Sequence, residues 1–174
     1  SCNTDNTVTQ PWSYAEYTPY VRSAMRLRYS LGLYLYSCLR VSNLCGDPVM
    51  RPLVYEFEDD PAVRDESFTF MFGPYILVSN VLEPGVTEKT VYLPNGANWV
   101  DWHTGRRYPG GTSITVASPL GKIPMFLRSG SIVPLIRPES RMRMQTSCKV
   151  QLLIESSEPA RFTIYQDDGT SNDW

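Results

Sequence analysis

Histidine is almost missing from this sequence: His103 is the only one in 174 residues. There is also no pair of cysteines two residues apart, so the ligand spacing of a structural zinc site is lacking and no metal or cofactor is expected. No run of about eighteen apolar residues occurs, which excludes a membrane-spanning helix. The opening residues, SCNTDNTVTQPW, have neither the basic stretch nor the apolar core of a signal peptide. Neither sign of charge dominates: 16 Lys and Arg face 18 Asp and Glu, for a net charge of −2. That balance gives no electrostatic footprint for nucleic acid or an anionic membrane. Cysteine is sparse, at Cys2, Cys38, Cys45 and Cys148. Cys38 and Cys45 fall seven apart on an expected helix, roughly 10 Å from one another and too far for a disulfide, so free thiols are expected. There is no internal repeat and no low-complexity tract.

What is present is ordinary globular material, 42% apolar and 20% charged, in a length that suits one large domain or parts of two. From Phe68 to Leu135, short apolar runs are cut by turn chemistry at Gly73-Pro74, Pro84-Gly85, Pro94-Asn95-Gly96, Thr104-Gly105, Pro109-Gly110-Gly111, Pro119 and Ser129-Gly130. Such runs, rich in Val, Ile, Tyr and Phe, predict an antiparallel β-sandwich or barrel. The expected strands are Phe68 to Phe72, Tyr75 to Leu82, Thr90 to Leu93, Trp99 to Trp102, Ser113 to Val116, Met125 to Leu127 and Ile132 to Leu135. Ile76, Val78, Trp99, Ile114, Phe126 and Ile132 should point inward between two packed sheets. After a polar connector, Pro138 to Ser147, two further strands are expected at Lys149 to Ile154 and Arg161 to Tyr165, with a turn at Asp167-Asp168-Gly169. The chain stops just after that turn, which reads as a cut through folded elements.

Ahead of the β unit, Thr18-Pro19 supplies a helix cap and a first-turn proline. Val21, Ala24, Met25, Leu27, Leu31, Tyr34, Leu35, Cys38 and Leu39 hold an apolar stripe at three- and four-residue spacing, and Gly46 is a natural stop. The pattern predicts one long helix over 19 to 45, bent near Gly32. One face of it should be left without a covering layer in this chain.

The segments carry a resemblance, in order and over nearly the whole chain. Arg28-Tyr29-Ser30-Leu31 with Tyr34-Leu35-Tyr36 is similar to the RYxLLPYLY helix of glycoside hydrolase family 31, the α-glucosidase and α-xylosidase family. Gly46 to Phe57, GDPVMRPLVYEF, resembles that family's G-x-PVxRPLxxEF segment. Phe70 to Pro74 with Leu77-Val78 and Val81-Leu82-Glu83 resembles QFMLGPxLLVAPVLE. Val91 to Pro94, Trp99, Asp101-Trp102 and Thr104-Gly105 resemble VYLPxGxWYDFWTG, and Pro119 to Ile132 resembles APLDKIPVFVRAGSII. Tyr165 to Gly169, YQDDG, is similar to YEDDG.

The resemblance implies a mainly β fold: an antiparallel β-sandwich preceded by a long helix that belongs to a (β/α)8 barrel. It divides the chain into 1–65, the last loop and helix of a catalytic barrel; 66–147, a proximal β-sandwich; and 148–174, the start of a distal β domain. It implies a retaining α-glycosidase acting on α-linked oligosaccharides, whose nucleophile and acid/base aspartates sit roughly 5–5.5 Å apart. The family carries both upstream, in motifs similar to DMNE and GDN, and neither motif occurs here. No catalytic residue is therefore expected in this chain, and the remainder of the barrel is the expected partner. Cys2 is the one expected substrate-binding residue: counting back from Pro11-Trp12, it stands where the family has a substrate-contacting histidine, after the last barrel strand. The equally weighted alternative is that loop length differs and Cys2 is only a neighbour.

Other acidic positions read more plainly. Asp47 precedes proline where the acid/base motif has asparagine, so it is not expected to catalyse. Asp59, Asp60, Asp65 and Glu66 could gather round a calcium, but a solvated acidic turn is favoured because the glycine-punctuated loop is missing. His103 reads as structural. A second reading of the whole chain is a non-catalytic carbohydrate-binding or interaction module, which would need Trp99, Trp102 and Tyr108 exposed together in a groove.

Overall fold

The computed structural model describes residues 10, 12–137 and 149–168. Two helices lead in, α1 (Thr18–Ser30) and α2 (Gly32–Cys45). The expected single helix is thus corrected to a jointed pair, with Leu31 at the joint (φ −83°, ψ 4°). The Ser30 hydroxyl donates to the Leu27 carbonyl at 2.7 Å, the kind of back-bonding that bends helices. Backbone hydrogen bonds still cross the joint, from Leu31 N to Leu27 O and from Leu35 N to Leu31 O. Tyr17 takes the cap position expected for Thr18, whose hydroxyl instead donates back to the Tyr14 carbonyl. Gly46 ends α2 in the left-handed conformation (φ 82°), open to glycine at little cost.

Ten strands follow among the described residues: β1 (Met50–Pro52), β2 (Thr69–Phe72), β3 (Ile76–Ser79), β4 (Glu88–Leu93), β5 (Trp99–Asp101), β6 (Arg107–Tyr108), β7 (Thr112–Ala117), β8 (Met125–Arg128), β9 (Ser131–Ile136) and β10 (Val150–Glu155). A one-turn helix, α3 (Leu53–Glu56), and a 3-10 turn at Pro61–Val63 lie between β1 and β2. The central sheet has the order β1-β2-β3-β8-β5-β6, and β4-β7 and β9-β10 form two separate ribbons. Every pairing is antiparallel.

The central sheet is covered on both faces. On one, Met71, Leu77, Trp99 and Phe126 pack against Val91, Leu93 and Val116 of the β4-β7 ribbon, with Leu53, Phe57 and Val63 joining them. On the other, Ile76, Met125 and Leu127 pack against Leu31, Tyr34 and Cys38 of the helix segment and Val133 of the β9-β10 ribbon. Side chains alternate along a strand, so neighbouring residues of β3 serve opposite layers.

Two expectations need correction here. Trp99, Ile114 and Phe126 do lie on the β4-β7 side, but Ile76 and Val78 face the helices, and on β9 Val133 is fully buried while Ile132 is only half-buried. A strand buried on both faces reads as one apolar run and carries no facing signal. Arg161 to Tyr165 forms no strand. That segment docks on α2 through side chains: Phe162 stacks on Tyr34 (centroids 5.3 Å), and Tyr165 N donates to Ser37 Oγ at 3.1 Å. Ladders also tie 50–52 to 70–72 and 131–136 to 150–155, across the expected domain boundaries at 65/66 and 147/148. Cys2, Cys148, the connector 138–147 and Gly169 lie outside the described residues.

Candidate functional site

The segment Gly46 to Phe57 joins the helix pair to the sheet, and its two prolines hold the preceding residues extended. Between them Arg51 turns inward and is buried. A buried guanidinium is tolerable only when paired and hydrogen-bonded. Its Nε donates to the Pro48 carbonyl at 2.8 Å, and its Nη1 pairs closely with one oxygen of Glu56. The other Glu56 oxygen accepts from Arg128 of β8 at 3.1 Å, and the Arg128 guanidinium lies 5.1 Å above the Phe57 ring. Two arginines thus share one carboxylate, and the residue after that carboxylate supplies the ring that covers the second.

Beside this clamp, Gly73 lets the turn after β2 press against α2. Its N–H donates to the Val49 carbonyl at 2.7 Å. Its φ is +59°, and a Cβ there would run into the Tyr34 hydroxyl and sit 2.8 Å from Cys38 Sγ. The Tyr34 hydroxyl donates to the Phe72 carbonyl at 2.9 Å and accepts from Tyr75 N at 3.2 Å. Burial raises the Cys38 pKa to about 11, against a partial offset from Arg51 and Tyr34, so the thiol is neutral and unreactive at physiological pH.

Three of the acidic positions singled out in the sequence, Asp47, Asp60 and Glu66, have a structural employment. Asp47 accepts from the Tyr55 hydroxyl at 3.0 Å. Asp60 is buried and accepts from Ala62 N (3.0 Å), Asn95 N (2.8 Å) and the Tyr92 hydroxyl (2.9 Å). Burial pushes its pKa up, but those three donors outweigh it and hold the carboxyl below the ordinary range. Glu66 accepts from the N–H groups of Phe68 and Thr69, while Asp59 and Asp65 are exposed. Among the described residues, no three His, Cys, Asp or Glu side chains converge as ligands for a metal ion. Asp167 accepts from the Tyr36 hydroxyl at 2.6 Å, a bond that raises the Tyr36 pKa to about 12. His103 Nε2 lies 2.8 Å from the Ile123 carbonyl, so the ring donates and that nitrogen carries the proton.

The aromatic triplet does not form one platform. Trp99 is fully buried, with its indole N–H on the Pro94 carbonyl at 3.0 Å. Tyr108 packs on the same side of the sheet as Trp99, and Trp102 packs on the other. The helices carry open apolar side chains: Tyr20, Met25 and Tyr29 on α1, and Leu39, Val41 and Leu44 on α2, are all exposed. α1 has no buried residue at all. No helix among the described residues is long and apolar enough to cross a membrane. Sequence reading missed the Arg51–Glu56–Arg128 clamp, because Arg128 stands 72 residues beyond Glu56 and no spacing rule reaches that far.

Residues 46–133 match the family model described as Glycosyl hydrolase family 31 C-terminal domain. The chain is 37% identical over 166 residues to an α-xylosidase of Saccharolobus solfataricus, covering 95% of this chain and 23% of that protein. It is 36% identical over 169 residues to an α-glucosidase of Aspergillus niger, covering 93% and 17% respectively. Among solved structures, a family 31 dextranase of Flavobacterium johnsoniae complexed with glucose superposes with a TM-score of 0.86 at 34% identity, covering 97% of this chain and 21% of that one. An α-xylosidase of Xanthomonas citri superposes with a TM-score of 0.81 at 34% identity, covering 92% and 17%. The chain therefore spans less than a quarter of the length of these relatives. From the ordered motifs to the superposed backbone, the chain belongs to glycosyl hydrolase family 31.

Proposed function

We propose that this chain serves as the C-terminal scaffold of a retaining α-glycosidase that hydrolyses or transfers α-linked glycosyl groups, with its catalytic aspartates upstream. The observation that carries the reading is the set of large apolar side chains left exposed on α1 and α2, since helix surface of that kind calls for a covering layer. The remainder of a (β/α)8 barrel is the partner whose packing fits it: residues 1–65 complete that barrel, 66–147 form the proximal sandwich and 148–174 begin a distal β domain. On this reading the chain itself supplies no acid, base or nucleophile. Its part in the reaction is to hold the last barrel helix in register through the Arg51–Glu56–Arg128 clamp and the Gly73–Tyr34 contact.

The test is to assay the intact parent enzyme on aryl α-glucosides and α-xylosides, following the first-formed anomer by NMR. Release of the α-anomer supports the reading, and first release of the β-anomer overturns it. Cleavage by the 174-residue chain alone would equally overturn it. Cys2 is assigned to the sugar pocket of the parent, where a weak thiol donor replaces an imidazole. Cys2→His in the parent should then shift the ratio of kcat/KM between α-glucosyl and α-xylosyl substrates, because sites that recognise hydroxyl groups discriminate strongly against a mismatched donor. An unchanged ratio would return Cys2 to ordinary loop.

A further inference from the structure

The junction of β5, β6 and β10 encloses a cavity of about 230 Å³ that the scaffold role does not use. At its back, Glu155 is only 3% exposed. Its carboxylate accepts from Gly130 N (3.0 Å), Ser157 N (3.3 Å) and the Ser157 hydroxyl (2.7 Å), and closes an ion pair with Arg107. Arg107 belongs to the two-residue edge strand β6, and its side chain is 64% exposed. A buried acid therefore pins an exposed guanidinium on the cavity wall, and the fork is pre-organised before any ligand arrives.

The other walls are as fixed. The Tyr108 ring stands edge-on to Phe126 (centroids 6.4 Å, 78°). The Ser129 hydroxyl accepts from Asn98 N at 3.2 Å and donates to Glu158 at 2.9 Å, while Ser129 N donates to the Asn98 carbonyl. The Asn98 residue is exposed and lines the cavity together with Pro109. The Arg107 guanidinium and the Asn98 amide thus offer donors and an acceptor around an apolar floor of Tyr108 and Pro109, while the Ser129 and Ser157 hydroxyl protons are committed to Glu158 and Glu155. A small anion would gain little here, since Glu155 already offsets the charge of Arg107. A pyranose matches both halves of the lining, with hydroxyls for the polar rim and a C–H face for the ring.

We infer that this cavity is an accessory sugar-binding subsite that takes one pyranose unit of an α-linked chain. The inference rests on the glycosidase reading above, and the test separates the two. The parent enzyme is first inactivated with a mechanism-based fluoroglycosyl label, so that the catalytic pocket is occupied. It is then run on native gels containing soluble dextran or, separately, xyloglucan. The labelled enzyme should still be retarded by one of them. Asn98→Ala and Arg107→Lys should each weaken that apparent affinity by about tenfold, the loss of one or two charge-assisted or amide hydrogen bonds. Arg107→Lys keeps a positive charge for Glu155 but removes the fork, and Asn98→Ala alone decides the matter if the lysine variant does not fold. Equal migration of the labelled enzyme with and without either polysaccharide overturns the subsite, as does undiminished retardation of Asn98→Ala. Failure of the unlabelled enzyme to cleave any aryl α-glycoside counts against the glycosidase reading instead.

Discussion

Asp60 and Glu155 show how a buried carboxylate can be worth keeping. Each has its oxygens filled by backbone and side-chain donors, so each is held in its charged form against the cost of burial. Their folded pKa values lie below the ordinary 3.8 and 4.5 of free Asp and Glu. A depressed folded pKa contributes stability that is present above the unfolded value and disappears as pH falls through the folded one. The melting temperature should therefore be flat above about pH 5 and drop on the acid side, and Asp60→Asn with Glu155→Gln should flatten that acid limb. Asp60→Ala, which orphans the Tyr92 hydroxyl and two N–H groups, should cost about 3 kcal/mol in thermal or urea unfolding. Gly73→Ala should be nearly as damaging, about 2–4 kcal/mol, because it adds strain at positive φ to a collision with Tyr34 and Cys38. A loss under about 0.5 kcal/mol in either case would show that the site relaxes freely.

Among the elements, the short link formed by β1 and α3 matters beyond its size, because it carries both Arg51 and Glu56. Glu56→Ala should cost about 3–5 kcal/mol, since it leaves Arg128 without its carboxylate and the buried Arg51 with only the longer pair to Asp47 at 3.8 Å. Arg128→Ala should cost clearly less, its side chain being 29% exposed and its partner still neutralised by Arg51. Equal losses in the two variants, compared by unfolding midpoints, would contradict the shared-carboxylate geometry. These elements also mark what the sequence could and could not disclose. Turn residues announced most strands, since Pro94-Asn95-Gly96 or Ser129-Gly130 can hardly sit inside a ladder. The β1 strand stayed hidden because its three residues end on a proline, and β6 because two residues make no pattern. The apolar alternation of Arg161 to Tyr165 suggested a strand, yet its partner surface is α2, and a helix offers no backbone ladder. The Glu155–Arg107 pair could not be read locally, because the two residues meet across 48 positions of chain.

For the molecule as a whole, the balance of covered and uncovered surface is uneven. The helices expose Tyr20, Met25, Tyr29, Leu39, Val41 and Leu44, and β10 exposes Val150, Leu152 and Ile154 along one face. The β9-β10 ribbon is apolar on both faces, with Val133 and Leu153 turned to the core. Exposed apolar residues along a strand promote self-association. The isolated chain should consequently scatter light and elute early at micromolar concentration, and Leu152→Lys with Ile154→Lys should move it toward the monomer position on size-exclusion chromatography. A sharp monomer peak from the unaltered chain would contradict this.

The strand order also has a consequence for synthesis on the ribosome. β8 is hydrogen-bonded between β3 and β5, although it is made after both. Until residues 125–128 have been added, the central sheet exists as two pieces, β1-β2-β3 and β5-β6, each with an open edge. Domains emerge from the N-terminal end at about 5–20 residues per second, so the nascent chain spends several seconds with its middle strand missing. This sheet is closed last at its centre, on the arrival of the Met125–Arg128 keystone.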